Sequence, residues 1–204
     1  MIVLIDYGMG NLRSVEKAFE ACGARPKITS DPKIVEKASK IVLPGVGAFT
    51  HAMQELKKRK LVTPIVEKIR SGTPYLGLCL GLQLLFSESE EGKGSKGFGI
   101  IKGPVKRFTH KLKIPHMGWN TAKLRQKKNP LFRGIADDTF FYFVHSYYGV
   151  PDDKSWVLTT TDYGNQFCSS VSKGNVFATQ FHPEKSQTQG LKMIRNFAGF
   201  EAAR

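Results

Sequence analysis

Short apolar runs alternate with amphipathic segments through the first half of the chain. The apolar runs have the length of buried parallel strands, and the segments between them have the spacing and the flanking glycine, proline and asparagine residues of helices. The predicted strands are residues 1–6, 27–29, 40–43 and 75–77, and the predicted helices are residues 12–22, 32–38, 61–70 and 82–86, with one more that follows residue 49 and reaches residue 58. Strand–helix alternation of this kind indicates a parallel sheet covered by helices on both faces.

The second half of the chain has shorter β-type runs and one closing helix. Residues 87–92 and the glycine-rich stretch up to Gly103 are predicted loops, and residues 115–120 are a predicted link between strands. The predicted strands are residues 105–108, 121–124, 140–144, 156–160, 166–171 and 176–181, and the last helix covers residues 188–200. We therefore predict an α/β fold whose mostly parallel central sheet is flanked by helices and carries additional antiparallel strands, in a single domain over residues 1–204.

The chain is strongly basic, with a formal net charge of +14 at pH 7. Much of this charge lies in three runs, residues 57–60, 102–113 and 123–128, which contain few aromatic residues. No helix-turn-helix or RNA-binding signature accompanies them, so solvated faces are favoured over nucleic-acid binding. A complementary acidic surface on a partner protein is the other interpretation left open.

Several classes of protein are excluded by what the sequence lacks. The three cysteines are too few and too scattered for a disulfide framework or a C-x-x-C metal site; they are Cys22, Cys79 and Cys168. A reducing cytoplasm is therefore expected, without a metal or cofactor. The first residues have no basic flank or cleavage site, and no apolar run approaches roughly 18 residues, so neither export nor membrane insertion is expected. Arg13 occupies the position where a G-x-G-x-x-G dinucleotide motif would need its last glycine.

Candidate chemistry begins at Gly77–Gly81, a G-x-C-x-G sequence between a predicted strand and a predicted helix. Flanking glycines let the backbone turn sharply, so that the central side chain stands exposed at the tip of a nucleophile elbow. A thiol at a helix N-terminus is favoured as thiolate. Cys79 is therefore the candidate nucleophile, although a small buried residue in a strand–helix connection is the alternative.

A histidine and a carboxylate follow a late predicted strand, at His182-Pro183-Glu184. Proline fixes the turn, so Glu184 can orient the imidazole while His182 acts as the base of a Cys-His-Glu triad. Oxyanion N–H groups in elbow enzymes come from the residue after the nucleophile and from a loop after an earlier strand. Leu80 fits the first place, and Val46 or Gly47 fits the second.

The elbow and the distal His-Pro-Glu together resemble the class I, triad-type glutamine amidotransferases. Residues 6–11, 44–49 and 115–120 narrow the resemblance to the glutaminase subunits of imidazole glycerol phosphate synthases, which serve histidine biosynthesis. The elbow differs from that pattern only by apolar exchanges at Leu78 and Leu82. The resemblance implies a flavodoxin-like α/β fold and the hydrolysis of glutamine to glutamate and ammonia through a cysteinyl thioester.

The resemblance also implies a glutamine site and a partner. The glutamine site maps onto Gln83, Glu91, His145, Ser146 and Tyr147. The partner is a separate cyclase subunit, a (β/α)₈ barrel that forms a heterodimer with this subunit and receives the ammonia through a channel. The residues that would face it are Asn11, Trp119, Tyr142 and Lys185.

Three other functions stay open at this point. An amidotransferase subunit of another biosynthetic pathway has the same triad but lacks the narrowing motifs. An elbow-cysteine hydrolase or isomerase would act without a partner. A basic nucleic-acid-binding protein with a vestigial site would be retained on polyanions in a salt-dependent manner.

Overall fold

The computed structural model of the chain describes residues 1–92 and 94–201. The helices are α1 (Leu12–Ala21), α2 (Pro32–Glu36), α3 (Phe49–Lys58), α4 (Val62–Arg70), α5 (Leu80–Gln83) and α6 (Gln187–Ala198). The strands are β1 (Ile2–Ile5), β2 (Lys27–Thr29), β3 (Lys40–Gly45), β4 (Tyr75–Cys79), β5 (Phe86–Ser89), β6 (Ser95–Lys96), β7 (Ile101–Arg107), β8 (His116–Leu124), β9 (Thr139–His145), β10 (Tyr147–Gly149), β11 (Val157–Asp162), β12 (Gln166–Lys173) and β13 (Val176–Thr179). None of the helices in these two ranges is both long enough and apolar enough to cross a membrane.

A nine-stranded sheet organises the molecule, in the order β2-β1-β3-β4-β13-β12-β11-β8-β9. The strands from β2 to β13 in this order pair in parallel, and those from β13 to β9 pair antiparallel. A four-stranded sheet, in the order β10-β7-β5-β6, lies beside it. The predicted α/β class is confirmed, and the central sheet is mixed, with a parallel half and an antiparallel half.

The parallel half of the sheet is buried on both faces, because successive strand residues enter two different apolar clusters. In β3, Ile41 and Leu43 pack into one cluster, which includes side chains of α3 and α4. Val42 packs into the other cluster, with side chains of α1 and α6. This two-sided burial explains why the strands are continuous apolar runs rather than alternating ones.

The prediction that the elbow helix reaches Phe86 is wrong. Helix α5 ends at Gln83, and β5 begins at Phe86 and runs through part of the predicted polar loop. The carbonyl of Leu84 accepts a hydrogen bond from the Phe98 N–H, and that of Leu85 accepts from the N–H groups of residues 100 and 101. These contacts with a segment distant in sequence replace the helical bonds that local propensity favours.

The prediction that residues 115–120 are a link between strands is also wrong. Strand β8 starts at His116 and pairs with β9 over seven residues, from His116 opposite His145 to Ala122 opposite Thr139. The aromatic strand β9 supplies backbone partners along its whole length. A segment with Gly118 and few β-branched residues therefore becomes a strand through pairing rather than propensity.

Candidate active site

The elbow predicted at Gly77–Gly81 is formed by β4, Cys79 and the short helix α5. Cys79 has φ 53° and ψ −102°, which turns the chain from strand into helix within one residue. A Cβ at Gly77 would lie 2.5 Å from the Gly81 carbonyl oxygen, and a Cβ at Gly81 would collide with the carbonyl oxygen of Leu43. Both glycines are therefore needed for the close approach of α5 to β4 and β3.

The Cys79 side chain lies in a pocket of about 270 Å³. The elbow pattern had predicted an exposed tip, and this part of the prediction is wrong. Only 6% of the residue is exposed, because neighbouring segments surround the turn. The pocket is lined by Val46, Gly47, Cys79, Leu80, Gln83, Glu91, Pro115, Val144, His145, Ser146 and Tyr147. A small ligand in this pocket can therefore reach the sulfur. This favours the nucleophile over the alternative, a small buried residue in a strand–helix connection.

His182 and Glu184 form a buried pair next to Cys79. His182 Nδ1 lies 2.8 Å from Glu184 Oε1, and each side chain is 3% exposed. Since a carboxylate only accepts, Nδ1 carries a proton and Nε2 is the nitrogen available as a base. Nε2 makes no hydrogen bond of ordinary geometry with any described residue.

The charge environment favours a protonated His182. Burial of the ring lowers its pKa, but the neighbouring Cys79 sulfur and the hydrogen-bonded Glu184 carboxylate outweigh burial, so the pKa of His182 is raised above its usual value. An imidazolium beside a thiolate is the ion pair that activates a cysteine nucleophile.

The three residues predicted to surround the oxyanion all line this pocket. Strand β3 extends two residues beyond its predicted end, and its last residue, Gly45, is in register with Cys79. Val46 and Gly47 therefore follow directly beside the thiol, and Gly47 has a φ of +95°. Leu80 is the first residue of α5, so its N–H has no partner within the helix, and the residue lines the same pocket.

The five residues predicted to contact glutamine also line the pocket. The side chains of Gln83 and Glu91 are held by other parts of the chain. The Gln83 amide nitrogen donates to the carbonyl of Tyr147 at 3.0 Å, and Glu91 accepts from the N–H of Phe49 at 2.7 Å, at the start of α3.

Three of the four predicted partner-facing residues lie together. Trp119 is opposite Tyr142 in the β8–β9 pair, with ring centroids 6.1 Å apart, and the Lys185 ammonium is 5.9 Å from the Tyr142 ring centroid. Asn11 is exposed on another element, where it accepts from the N–H of Ser14 as the N-cap of α1.

Two residues of the site were missed from the sequence. Gln180 donates a hydrogen bond to the Cys79 sulfur at 3.6 Å, and His116 lies 2.9 Å from His145 through ring nitrogens. The alternation of an extended chain places Gln180 on the same side as His182, and this was the available signal. His116 was predicted to lie in a link, where no fixed partner was expected.

The tautomers of the two histidines follow from the Tyr147 carbonyl, which can only accept. His145 Nδ1 donates to it at 2.8 Å, so His145 Nε2 accepts from His116 Nδ1. Burial is the main cause that lowers the pKa of His145 to about 3 and of His116 to about 4. Both rings are therefore neutral near pH 7.

In the described ranges, no group of three or more His, Cys, Asp or Glu side chains is arranged to hold an ion. The titratable side chains that meet at the elbow are a thiol, an imidazole and a carboxylate.

Comparison with known proteins defines the class. The family model of class I glutamine amidotransferases matches residues 3–199, and the chain belongs to this family. A crystal structure of a glutamine amidotransferase covers 96% of the chain and 96% of its own, with a TM-score of 0.75 at 17% identity. PurLQS from Thermotoga maritima covers 97% of the chain and 96% of its own, with a TM-score of 0.74 at 18% identity. These likenesses support the fold.

Curated relatives place the chain more narrowly. The imidazole glycerol phosphate synthase subunit HisH of Syntrophotalea carbinolica is 53% identical over 97% of the chain and 98% of the relative. HisH of Aquifex aeolicus is 52% identical over 96% and 94%, and HisH of Geobacter sulfurreducens is 49% identical over 96% and 97%. The predicted resemblance to these glutaminase subunits is confirmed, and the enzyme is a glutamine amidotransferase of the HisH type.

Proposed function

We propose that Cys79, His182 and Glu184 carry out the glutaminase reaction of an imidazole glycerol phosphate synthase. The observation that carries the proposal is the buried His182–Glu184 pair beside a thiol that opens into a pocket. A buried carboxylate that holds the imidazole tautomer, next to a cysteine at a strained elbow, is the arrangement required for acyl transfer.

In the proposed reaction the Cys79 sulfur attacks the side-chain amide carbon of glutamine. The C–N bond breaks, His182 gives its proton to the departing ammonia, and a glutamyl thioester remains on the sulfur. Water, deprotonated by His182, then attacks the thioester carbon, and glutamate leaves as the thiolate is restored. Glu184 stabilises the imidazolium that is present in both halves of the reaction.

Backbone N–H groups at Leu80 and at Val46 or Gly47 are the proposed oxyanion donors. In other hydrolases, removal of one such donor raises the barrier by roughly 3 kcal/mol. Val46 is 41% exposed and Gly47 has a positive φ, so this turn has little packing to hold one orientation. We propose that partner binding orders the turn and thereby couples glutamine hydrolysis to the acceptor reaction.

Gln83, Glu91 and the segment 145–147 are the proposed walls of the glutamine site. Their position around the thiol supports this role. Because Gln83 and Glu91 are held by Tyr147 and by the start of α3, the pocket is shaped before substrate enters.

The partner in the proposed function is a cyclase subunit, a (β/α)₈ barrel that forms a heterodimer with this chain. Three large side chains on the β8–β9 edge are unusually exposed: Met117 at 62%, Trp119 at 47% and Phe140 at 59%. Met117 is in register with Val144, which lines the pocket, so this apolar surface borders the site where ammonia forms. Exposed apolar patches of this kind are typical of protein interfaces.

The remaining parts of the proposal concern the domain and the compartment. We propose one catalytic domain over residues 1–204 that works in the cytoplasm. The three cysteines are free thiols, as expected in a reducing compartment.

The test is glutamate release by the chain with and without a co-purified cyclase subunit and the cyclase ligand. The wild type is expected to turn over glutamine much faster in the liganded complex than alone. Cys79→Ala is expected to retain the complex and to lose turnover by at least a thousandfold, while the control Cys22→Ala keeps wild-type rates. Turnover by Cys79→Ala would overturn the triad, and equal rates with and without the cyclase would overturn the coupling.

A further inference from the structure

Gln180 is a fully buried glutamine immediately after β13, and its side chain lies between Gln83 and the Cys79 sulfur. Its amide nitrogen is 3.6 Å from Cys79 Sγ, and its amide oxygen is 3.1 Å from the Gln83 amide nitrogen. The backbone N–H of Gln180 donates to the Ser169 carbonyl of β12 at 2.8 Å, which fixes the main chain at this point. A buried amide directed at a nucleophile needs an explanation, because apolar side chains would fill the same space.

The orientation of the Gln180 amide follows from its neighbours. The backbone carbonyl of Tyr147 can only accept, so the atom of Gln83 that lies 3.0 Å from it must be the amide nitrogen. That nitrogen also points at Gln180, so the atom of Gln180 that faces it must be the acceptor oxygen. The NH₂ group of Gln180 is then the part that faces the sulfur, and a flip would place two oxygens or two NH₂ groups against each other.

A hydrogen bond from a neutral amide favours the thiolate over the thiol, because an anion is the stronger acceptor. The titratable groups next to Cys79 are His182, which is backed by Glu184, and Tyr7. His145, Tyr147 and Glu91 are the other titratable residues that line the pocket. His182 gives up its proton to the leaving ammonia and so changes charge during turnover. Gln180 keeps its polarity throughout, and it can stabilise the sulfur anion both before attack and when water displaces it from the thioester.

We propose that Gln180 is a further catalytic residue, whose amide donates a hydrogen bond to the Cys79 thiolate, and that Gln83 is the positioning residue that fixes the direction of this amide. The inference rests on the proposed role of Cys79 as nucleophile. It gives Gln83 a task in addition to its place in the wall of the glutamine pocket. It also explains why two glutamines, rather than leucines, are buried next to the elbow.

The experiment measures the rate of Cys79 alkylation by iodoacetamide from pH 5 to 10 in the complex with the cyclase, by mass spectrometry of the Cys79 peptide. Gln180→Met keeps the volume and removes the donor. We expect alkylation of this variant at low pH to be roughly tenfold slower than that of the wild type, and kcat for glutamine to fall by a similar factor with little change in KM. Gln83→Met leaves the donor but removes its support, and a smaller effect in the same direction is expected.

Gln126→Met is the matched control. This glutamine donates to the carbonyls of Ser155, Val157 and Ser172, and none of its hydrogen bonds reaches the pocket. It is expected to lower the melting temperature without moving the alkylation profile. An unchanged profile in a folded Gln180→Met variant would overturn the inference, and if that variant does not fold, an unchanged profile in Gln83→Met would do so. Either result leaves the triad intact if Cys79→Ala still abolishes turnover.

Discussion

Cys79, the proposed nucleophile, has an unfavourable backbone conformation. Its φ of 53° and ψ of −102° lie in a region that side chains with a Cβ rarely adopt. Such conformations cost of order 1–3 kcal/mol and persist where the surrounding packing fixes them. Here β3, β4 and α5 meet around the residue, so the strain is held by the fold and exposes one side of the sulfur to the pocket.

At position 79, the glycine variant is expected to be more stable than the alanine variant. In most helices and strands the order is the opposite. Glycine adopts this conformation freely, so we expect Cys79→Gly to exceed Cys79→Ala by about 1–2 kcal/mol in the free energy of unfolding measured with urea. Ala52→Gly, at a buried position of the regular helix α3, is the control and is expected to be the less stable: lost helix propensity costs about 1 kcal/mol, and the lost buried methyl group adds to that cost. A less stable glycine variant at position 79 would show that the elbow is unstrained.

At this scale, local spacing in the sequence predicts the residues of the proposed triad. The elbow cysteine and the His-Pro-Glu turn are encoded within a few residues each. Gln180 and His116 were missed because their importance depends on partners about a hundred and about thirty positions away, Cys79 and His145. Neither residue type is informative until the pairing of β13 with β4 and of β8 with β9 is known.

At the scale of elements, the site depends on how closely α5 packs against two strands. Tyr75, in β4, donates its hydroxyl to the Gly81 carbonyl at 2.8 Å and ties the helix back to the strand. The backbone of Gly81 in turn lies against the carbonyl of Leu43 in β3. The glycines of the elbow thus serve the contacts of α5 with β4 and β3 as well as the turn itself.

Gly81→Ala is expected to destabilise the fold and to misplace Cys79, the proposed nucleophile. A new Cβ would overlap the Leu43 carbonyl oxygen, which belongs to a central strand and cannot move aside. We expect a loss of about 1–3 kcal/mol in urea unfolding and a large fall in glutamine turnover. Gly199→Ala is the control, since its Cβ would meet nothing closer than 3.5 Å, and its stability should be unchanged or slightly higher. Equal stability of the two variants would contradict the packing argument.

Elements with a strong pattern of their own were predicted well, and those made by pairing were not. Strand β2 and the end of α3 lie where the sequence pattern placed them, and β9 is one residue longer at each end than predicted. The first part of β8 was missed because its backbone partner β9 is distant in sequence. The strand β5 was missed because its polar residues have the pattern of a loop, and its pairing with β6 and β7 is not visible in that pattern. Periodicity reports burial on one face, and it carries no information about which other segment supplies the hydrogen bonds.

At the scale of the whole molecule, the neutral histidines couple the pocket wall to global stability. His116 and His145 are buried in a stack of aromatic rings that includes Phe108, Phe143 and Phe167. Asn120 donates to His116 Nε2 at 3.2 Å, so the chain of hydrogen bonds reaches from β8 to the Tyr147 carbonyl. A proton added to either ring would break this chain, because a donor would then face a donor.

The free energy of unfolding is therefore expected to fall as the pH drops below 6.5. The unfolded chain binds protons at both histidines near pH 6.5, whereas the folded chain binds them only near pH 4 and pH 3, because burial lowers both pKa values. Between these limits the unfolded state holds more protons, so acid destabilises the fold by up to about 1.4 kcal/mol per pH unit for each group. His182, whose pKa is raised, has the opposite sign, and its effect on the slope disappears below about pH 5.5, where the residue is protonated in both states.

His116→Gln provides the test, because an amide can still donate to His145 but cannot titrate. The free energy of unfolding, measured with urea from pH 7 to pH 4.5, should change with pH less steeply in this variant. The part of the slope that comes from the two histidines should be about half of that in the wild type, and the carboxylates common to both proteins cancel when the two curves are subtracted. His51→Gln, at an exposed position of α3, is the control and should follow the wild type. Parallel curves for the wild type and His116→Gln would mean that the ring is already protonated in the folded protein, and the hydrogen-bond directions assigned around Tyr147 would then be wrong.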